Sequence, residues 1–222
     1  MNVPRSSATI VVVTGAAPLD RRAVAAVPDD AFVIAADGGL DHARAAGLEP
    51  DVLVGDLDSI SAIGLAWATE HAQVVRHPVD KAATDTELAI AHAATYDPAQ
   101  LLLVAGEGDR LDHAVAALGA LGAPALAAVA SLEAWWGRDR LHVLHAPRSV
   151  ELDLPGGTTF SVLAMHGPAR GVTVGGARWP LTDHTLEPLV GLGVSNVVRG
   201  DAPVTVAVTH GIVTVILPGA AS

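Results

Sequence analysis

Four aspartates stand where the chain changes character, and their oxygens suit one kind of chemistry. Asp37 follows the apolar run VIAA and opens DGG, Asp56 and Asp58 follow DVLV in GDLDS, and Asp85 begins TDTELAIAHAA after Thr84. Hard carboxylate oxygens are the ligands magnesium prefers, and magnesium in turn offsets the charge spread over phosphate groups. Asp56 and Asp58 point the same way if the chain stays extended, and can also converge from a loop if it turns after Gly55. Thr84 is placed to cap the helix that Asp85 starts, where free N–H groups favour an anion. Glu87 can support that turn. Each acid is also an ordinary turn or cap residue, so the residues alone leave a metal–phosphate site and an acidic rim both open.

Positive groups near these acids have two readings as well. Lys81, three residues before Thr84, is either a point charge for a phosphate oxygen or a solvated loop residue. Arg110 in GEGDRLDHAVAAL can fork onto a phosphate or hold an internal carboxylate. Asp112 can cap the helix it opens, and His113 can be a structural donor or face a ligand. Gly38, Gly39 and Gly55 allow tight backbone beside the acids. Other chemistries lack their signatures. There is no GxxxxGK[ST], no HExxH and no Cys, and neither Ser59 nor Ser195 sits in a nucleophile elbow.

The elements that must position these residues fall into two groups. Apolar runs at Ile10–Thr14, Phe32–Ala36, Val52–Gly55, Gln73–Arg76, Leu101–Ala105 and Ala125–Ala130 predict strands buried on both faces. Helical patterns lie between them near Leu40–Ala46, Ser61–Glu70, Asp85–Ala94 and Asp112–Leu121. That alternation predicts an open, mainly parallel α/β domain, with ligands gathered at the C-terminal strand ends. Beyond about Arg138 the runs LHVLHAP, SVELDLP, TTFSVLAMHG, GVTVGGARWPL and APVTVAVTHGIVTVILP are β-like and broken by Gly, Pro and Asp. They predict an all-β sandwich or related barrel. The boundary is expected between Ser131 and Asp139, giving domains over 1–137 and 138–222. Trp135 and Trp136 are placed to cover a seam near it.

The 222 residues are half hydrophobic but only 3% aromatic, so the core must be built from Ala, Val, Leu and Ile. With 13 Lys and Arg against 24 Asp and Glu, the formal charge of −11 works against a nucleic-acid surface. The opening MNVPRSSATIVVVTG does not read as a signal peptide, and no apolar run approaches the roughly 20 residues that span a bilayer. A cytoplasmic protein with no nucleic-acid or membrane partner is the expectation.

The ordered set DGG, GDLDS, KAATDTELA and GDRLDHAVA resembles the thiamine pyrophosphokinase family, and ARWPLTDHTLEPLVGLGVSN continues the resemblance toward the C-terminus. It spans about Ile10 to Pro218. The resemblance implies an N-terminal α/β domain, a C-terminal β-sandwich and a homodimer with sites near the subunit interface. It implies transfer of the β,γ-pyrophosphoryl group of ATP to the thiamine hydroxyl, giving thiamine diphosphate and AMP. Asp37, Asp56, Asp58 and Asp85 would hold Mg2+ or support its phosphate-bound state, with Asp56, Asp58 and Asp85 as catalytic residues. Lys81, Thr84, Arg110 and Asp112 would join Asp37 around ATP, and Trp179, Ser195 and Asn196 would form the thiamine site. Relatives read closer to KDxTD, whereas this chain carries Ala82 there, with Asp80 just before Lys81. The alternatives are a related hydroxymethylpterin pyrophosphokinase, against which WPLTDHT…GVSN speaks, and a non-catalytic nucleotide-binding protein.

Overall fold

The computed structural model describes residues 9–108 and 110–219, which form two compact units, Met1–Arg138 and Asp139–Ser222. Asp109 of the GDRLDHAVA motif and the residues before Thr9 lie outside the described residues.

The first unit alternates strand and helix. Its order is β1 (Thr9–Val13), α1 (Arg21–Ala25), β2 (Phe32–Ala36), α2 (Gly39–Ala45), β3 (Val52–Gly55), α3 (Ala62–His71), β4 (Gln73–Arg76), α4 (Asp85–Ala94), β5 (Gln100–Ala105), α5 (Leu111–Ala120) and β6 (Ser131–Trp136). The strands lie in the order β4-β3-β2-β1-β5-β6, every neighbouring pair parallel. Parallel sheets need cover on both faces, and Val, Ile, Leu and Ala supply it on nearly every residue of β1, β2, β3 and β5. Apolar clusters form around Val11, Val13, Val33 and Val104, and around Ala35, Leu40, Leu53 and Ala68. The starts of α1 and α3 are fixed by side-chain caps. Asp20 accepts from the Arg22 N–H at 2.8 Å, and Ser61 accepts from the Gly64 N–H at 2.9 Å.

One expected strand is corrected. Residues 125–130 do not form a strand: Pro124 opens a 3-10 turn over Pro124–Leu126, and the sixth strand is Ser131–Trp136. An Ala-rich run has no period that separates strand from helix, and proline at a helical first position favours the turn. β6 pairs with β5 from Gln100↔Ser131 to Ala105↔Trp136, so Trp135 and Trp136 belong to the parallel sheet of the first unit. The sequence reading also passed over the short helix α1.

The second unit is antiparallel. Strands β7 (Asp139–His145), β8 (Arg148–Leu152), β9 (Thr159–Leu163), β10 (Ala169–Gly175), β11 (Leu181–Leu186), β12 (Asn196–Val197), β13 (Val204–Val208) and β14 (Ile212–Leu217) form two sheets. One runs β12-β9-β14-β7 and the other β11-β10-β13-β8. Alternate residues such as Val204, Val206 and Val208 of β13, and Val213 and Val215 of β14, point into a common core with Phe160 and Val172. This is a β-sandwich, as expected.

Candidate functional site

Because all strands of the first unit are parallel, β2 and β3 end on the same side of the sheet, and the acidic motifs begin where those strands stop. Asp37 follows β2 with φ +46, and its N–H donates to the Val54 carbonyl at 2.9 Å. Its side chain is only 5% exposed. The Ser59 N–H and hydroxyl both donate to Asp37 Oδ2, at 3.2 and 2.7 Å, and the Ser59 hydroxyl oxygen accepts from the Gly38 N–H at 3.2 Å. Oδ1 is buried without a hydrogen-bond partner. Burial pushes the Asp37 carboxyl above its ordinary range; the Ser59 bonds oppose this, while the Asp85 and Asp58 charges add to it.

The chain does not stay extended after β3. Leu57 takes φ +70, a conformation that costs a branched side chain about 1 kcal/mol or more, and this turn brings Asp56 and Asp58 together. The Leu57 side chain packs against the cluster of Ala35, Leu40, Leu53 and Ala68. The Asp58 N–H donates to Asp56 Oδ1 at 3.3 Å. One oxygen from each of Asp37, Asp56 and Asp58 lies within 4.8 Å of the other two, the first buried and the last exposed. Three hard donors at this spacing, from carboxylates of which Asp37 also keeps a buried oxygen without a partner, fit an oxygen-coordinated divalent cation.

Asp85 joins through a different contact. Lys81 donates to Asp56 Oδ2, and its Nζ lies 3.0 Å from Asp85 Oδ1. Asp85 Oδ1 is nonetheless buried without an aligned hydrogen bond. A Cβ placed at Gly55 would stand 3.1 Å from both Asp85 Oδ1 and Asp37 Cβ, so the two acids flank that glycine. Lys81, with 14% of its side chain exposed, is therefore no solvated loop residue. Burial alone would lower its ammonium, but the bond to Asp56 and the neighbouring Asp85 carboxylate outweigh it and raise the pKa, and the same Lys81–Asp56 bond holds Asp56 below its usual range.

Thr84 seats Asp85. Its hydroxyl accepts from the Glu87 N–H at 3.2 Å and donates to Glu87 Oε2 at 2.8 Å, while the Thr84 N–H donates to the same carboxylate oxygen at 2.7 Å. This reciprocal cap uses both side chains, so Glu87 supports the turn. Thr84→Ala is expected to cost about 1 kcal/mol, lowering Tm by about 2–4 °C in a thermal melt, while Thr84→Ser retains most of the stability.

Arg110 and Asp112 form a separate pair at the start of α5, with Nε–Oδ1 at 2.9 Å and Nη2–Oδ2 at 2.7 Å, both side chains well exposed. The fork holds Asp112 far below the usual carboxylate range. Arg110, and not Asp112, occupies the cap position, without a side-chain cap bond. Ala82 is exposed in the loop before α4.

The remaining candidates lie in the second unit, around a pocket of about 380 Å3 lined by Val162, Val174, Trp179, Leu192, Val194 and Ser195 among others. Such a volume, with apolar walls and few polar groups, suits a small organic ligand. Trp179 is 53% exposed and carries the Arg178 guanidinium 4.8 Å from its ring centroid. Ser195 takes φ +58, and its N–H donates to the Ser161 hydroxyl oxygen at 3.1 Å. Asn196 is buried, and its carboxamide bonds Trp179 and Val197 backbone. Ser59 and Ser161 were not singled out as supports from the sequence; Ser59 stands inside the GDLDS motif, while nothing local marks Ser161.

Residues 25–128 match the family model "Thiamin pyrophosphokinase, catalytic domain", and residues 141–213 match "Thiamin pyrophosphokinase, vitamin B1 binding domain". Among curated proteins no sequence match is found. The fold is similar to the thiamine pyrophosphokinase of Bacillus subtilis, with TM-score 0.80 and 19% identity over 96% of this chain and 100% of that one. A thiamin pyrophosphokinase family protein of Enterococcus faecalis gives TM-score 0.75 and 22% identity over 95% and 98% of the two chains. The Candida albicans thiamin pyrophosphokinase gives 0.71 and 13% over 95% and 88%.

Proposed function

The chain belongs to the thiamin pyrophosphokinase family, and on that premise we propose that it transfers the β,γ-pyrophosphoryl group of ATP to thiamine with Mg2+ held by Asp37, Asp56 and Asp58. The observation that carries the metal assignment is the convergence of those three carboxylates, one of which, Asp37, has a buried oxygen without a hydrogen-bond partner. Bound there, Mg2+ supplies electrostatic neutralisation of the donor's phosphates.

The chain's own residues do the rest by positioning. Ser59 fixes the Asp37 carboxylate through Oδ2 and leaves Oδ1 to the site. Lys81 keeps Asp56 ionised and places a positive charge beside Asp85, where it can meet a phosphate oxygen. Arg110, paired with Asp112, carries a guanidinium of the kind that suits phosphate. The thiamine hydroxyl oxygen forms a bond to the β-phosphorus and gives up its proton to solvent, the bond from that phosphorus to the oxygen bridging it to the α-phosphate breaks, and AMP leaves with that oxygen. No covalent enzyme intermediate is needed, so orientation and electrostatics account for the acceleration.

The apolar pocket beside Trp179 and Ser195 is the thiamine site in this reading. An indole face suits the positively charged thiazolium ring, and an acidic protein of net charge −11 favours a cationic substrate. The match of residues 141–213 to a vitamin B1 binding domain does not favour the pterin alternative. A homodimer in the cytoplasm completes the proposal, and its mass is measurable by light scattering; no helix among the described residues is long and apolar enough to cross a membrane.

The test is a product assay. Purified protein with ATP, thiamine and Mg2+ is expected to yield AMP and thiamine diphosphate in equal amounts by mass spectrometry, and chelation of the metal should stop both. Formation of ADP with thiamine monophosphate, or no product across a range of metals and pH, would overturn the reaction assigned.

A further inference from the structure

Ser195 and Asn196 both border the pocket but differ in burial. Ser195 is exposed. Asn196 is only 4% exposed. Its carboxamide is engaged on both sides. Oδ1 accepts from the Trp179 N–H at 3.1 Å and from the Val197 N–H at 2.9 Å, and Nδ2 donates to the Trp179 carbonyl at 2.8 Å.

A side chain that satisfies both polar groups of one remote peptide position does what a neighbouring strand would do. Backbone pairing flanks the clamp on one side: Ala177 bridges Val198, and the Arg178 N–H donates to the Val197 carbonyl at 2.8 Å. On the other side Pro180 has no N–H to contribute. Asn196 thus extends the pairing of β12 by one position, at the residue whose indole forms the pocket wall. Ser161 supports another residue of the pocket lining. Its hydroxyl oxygen accepts the N–H of Ser195 at 3.1 Å, tying down a residue held at φ +58. Ser161 stands on β9, whose Phe160 is paired with Asn196, so both supports spring from one strand pair.

We infer that Asn196 and Ser161 are positioning residues that set the pocket for the acceptor substrate by clamping the backbones of Trp179 and Ser195, the Asn196 carboxamide acting through Trp179. This rests on the pocket being the thiamine site. A buried amide with three such bonds has one N–H left and little freedom to turn toward a ligand. Losing the clamp leaves the Trp179 N–H and carbonyl without their partners and lets the indole wander, which weakens acceptor binding without touching the phosphate end of the reaction.

The experiment compares Asn196→Ala, Asn196→Asp and Ser161→Ala with wild type. For Asn196→Ala the thiamine KM is expected to rise about tenfold while kcat and the ATP KM stay within about twofold. Exchange of the Trp179 amide hydrogen, followed by NMR, is expected to accelerate while that of β13 and β14 stays slow. Asn196→Asp retains the acceptors and loses the donor, and it carries the same readouts if the alanine variant does not fold; Ser161→Ala reports through the Ser195 amide. Unchanged exchange at Trp179 in a folded variant overturns the clamp, as does a parallel change in the ATP KM. If wild type makes no thiamine diphosphate the function assigned to the pocket fails, and amide exchange still decides whether Asn196 holds Trp179.

Discussion

Asp37→Asn is expected to lower kcat/KM for pyrophosphate transfer by at least about 100-fold while raising the melting temperature. The two effects share one cause. Asp37 is buried, with Asp85 and Asp58 nearby and one oxygen unpartnered, an arrangement that pushes its carboxyl pKa up. The folded chain therefore holds that proton more tightly than the unfolded chain does, and ionisation at neutral pH works against folding. This cost disappears as the pH falls through the folded pKa, so the variant's melting advantage should shrink on acidification. Asn is a fair replacement in the fold, because its side-chain oxygen can still accept from Ser59 and because Asn tolerates the φ of +46 found here. What it cannot offer is an anionic oxygen to a cation. Turnover at neutral pH, and thermal melts from neutral pH down into the ordinary carboxylate range, measure both halves. A variant that stays active, or that loses activity together with its melting transition, removes Asp37 from the metal-holding set.

Gly39→Ala is expected to destabilise the protein by about 3 kcal/mol, a fall in Tm of about 6–12 °C. A Cβ built on Gly39 meets the Val13 carbonyl oxygen at 2.4 Å and the Thr14 carbonyl carbon at 2.9 Å. Both obstacles are backbone atoms at the end of a central strand, so neither can swing aside. Relief requires α2 to move away from β1, and Asp37, two residues before Gly39, would move with it. Activity should therefore fall with stability, in contrast to Asp37→Asn. Gly119 serves as the control, because a Cβ there meets nothing within 4 Å. Gly119→Ala should leave Tm unchanged or raise it, as expected for alanine on a helix surface. A Gly39→Ala variant that melts with wild type would show that α2 is not pinned to β1 by this contact.

The sequence carried the α/β half of the fold well because its strands are continuous apolar runs and its helices begin with Ser61 and Thr84, residues whose capping chemistry is local. It failed at residues 125–130, where Ala and Leu satisfy helix and strand equally and where the true strand, Ser131–Trp136, is interrupted by Glu133. Asp37, Asp56 and Asp58 stand out for the same reason as the strands, since they follow strand ends, and Asp85 stands out as the start of a capped helix. The ties between them do not. Lys81 is 25 residues from Asp56, and Ser59 is 22 from Asp37, separations that no local period encodes. Asn196 shows the deeper limit. Its residue type suggests a polar contact, but only the pairing of β12 with β9 and the return of Trp179 decide that the contact is to backbone.

Leu57 carries a consequence for anyone who would move this site to another scaffold. It is the apolar letter inside GDLDS, and it accepts a left-handed backbone while sinking its side chain among Ala35, Leu40, Leu53 and Ala68. The acids on either side inherit their directions from that anchorage. Grafting the five-residue motif alone would transfer the ligands without the purchase that turns them, and a leucine with no pocket beneath it would relax to an ordinary conformation and let Asp56 and Asp58 diverge. The transferable unit is the loop together with its greasy socket.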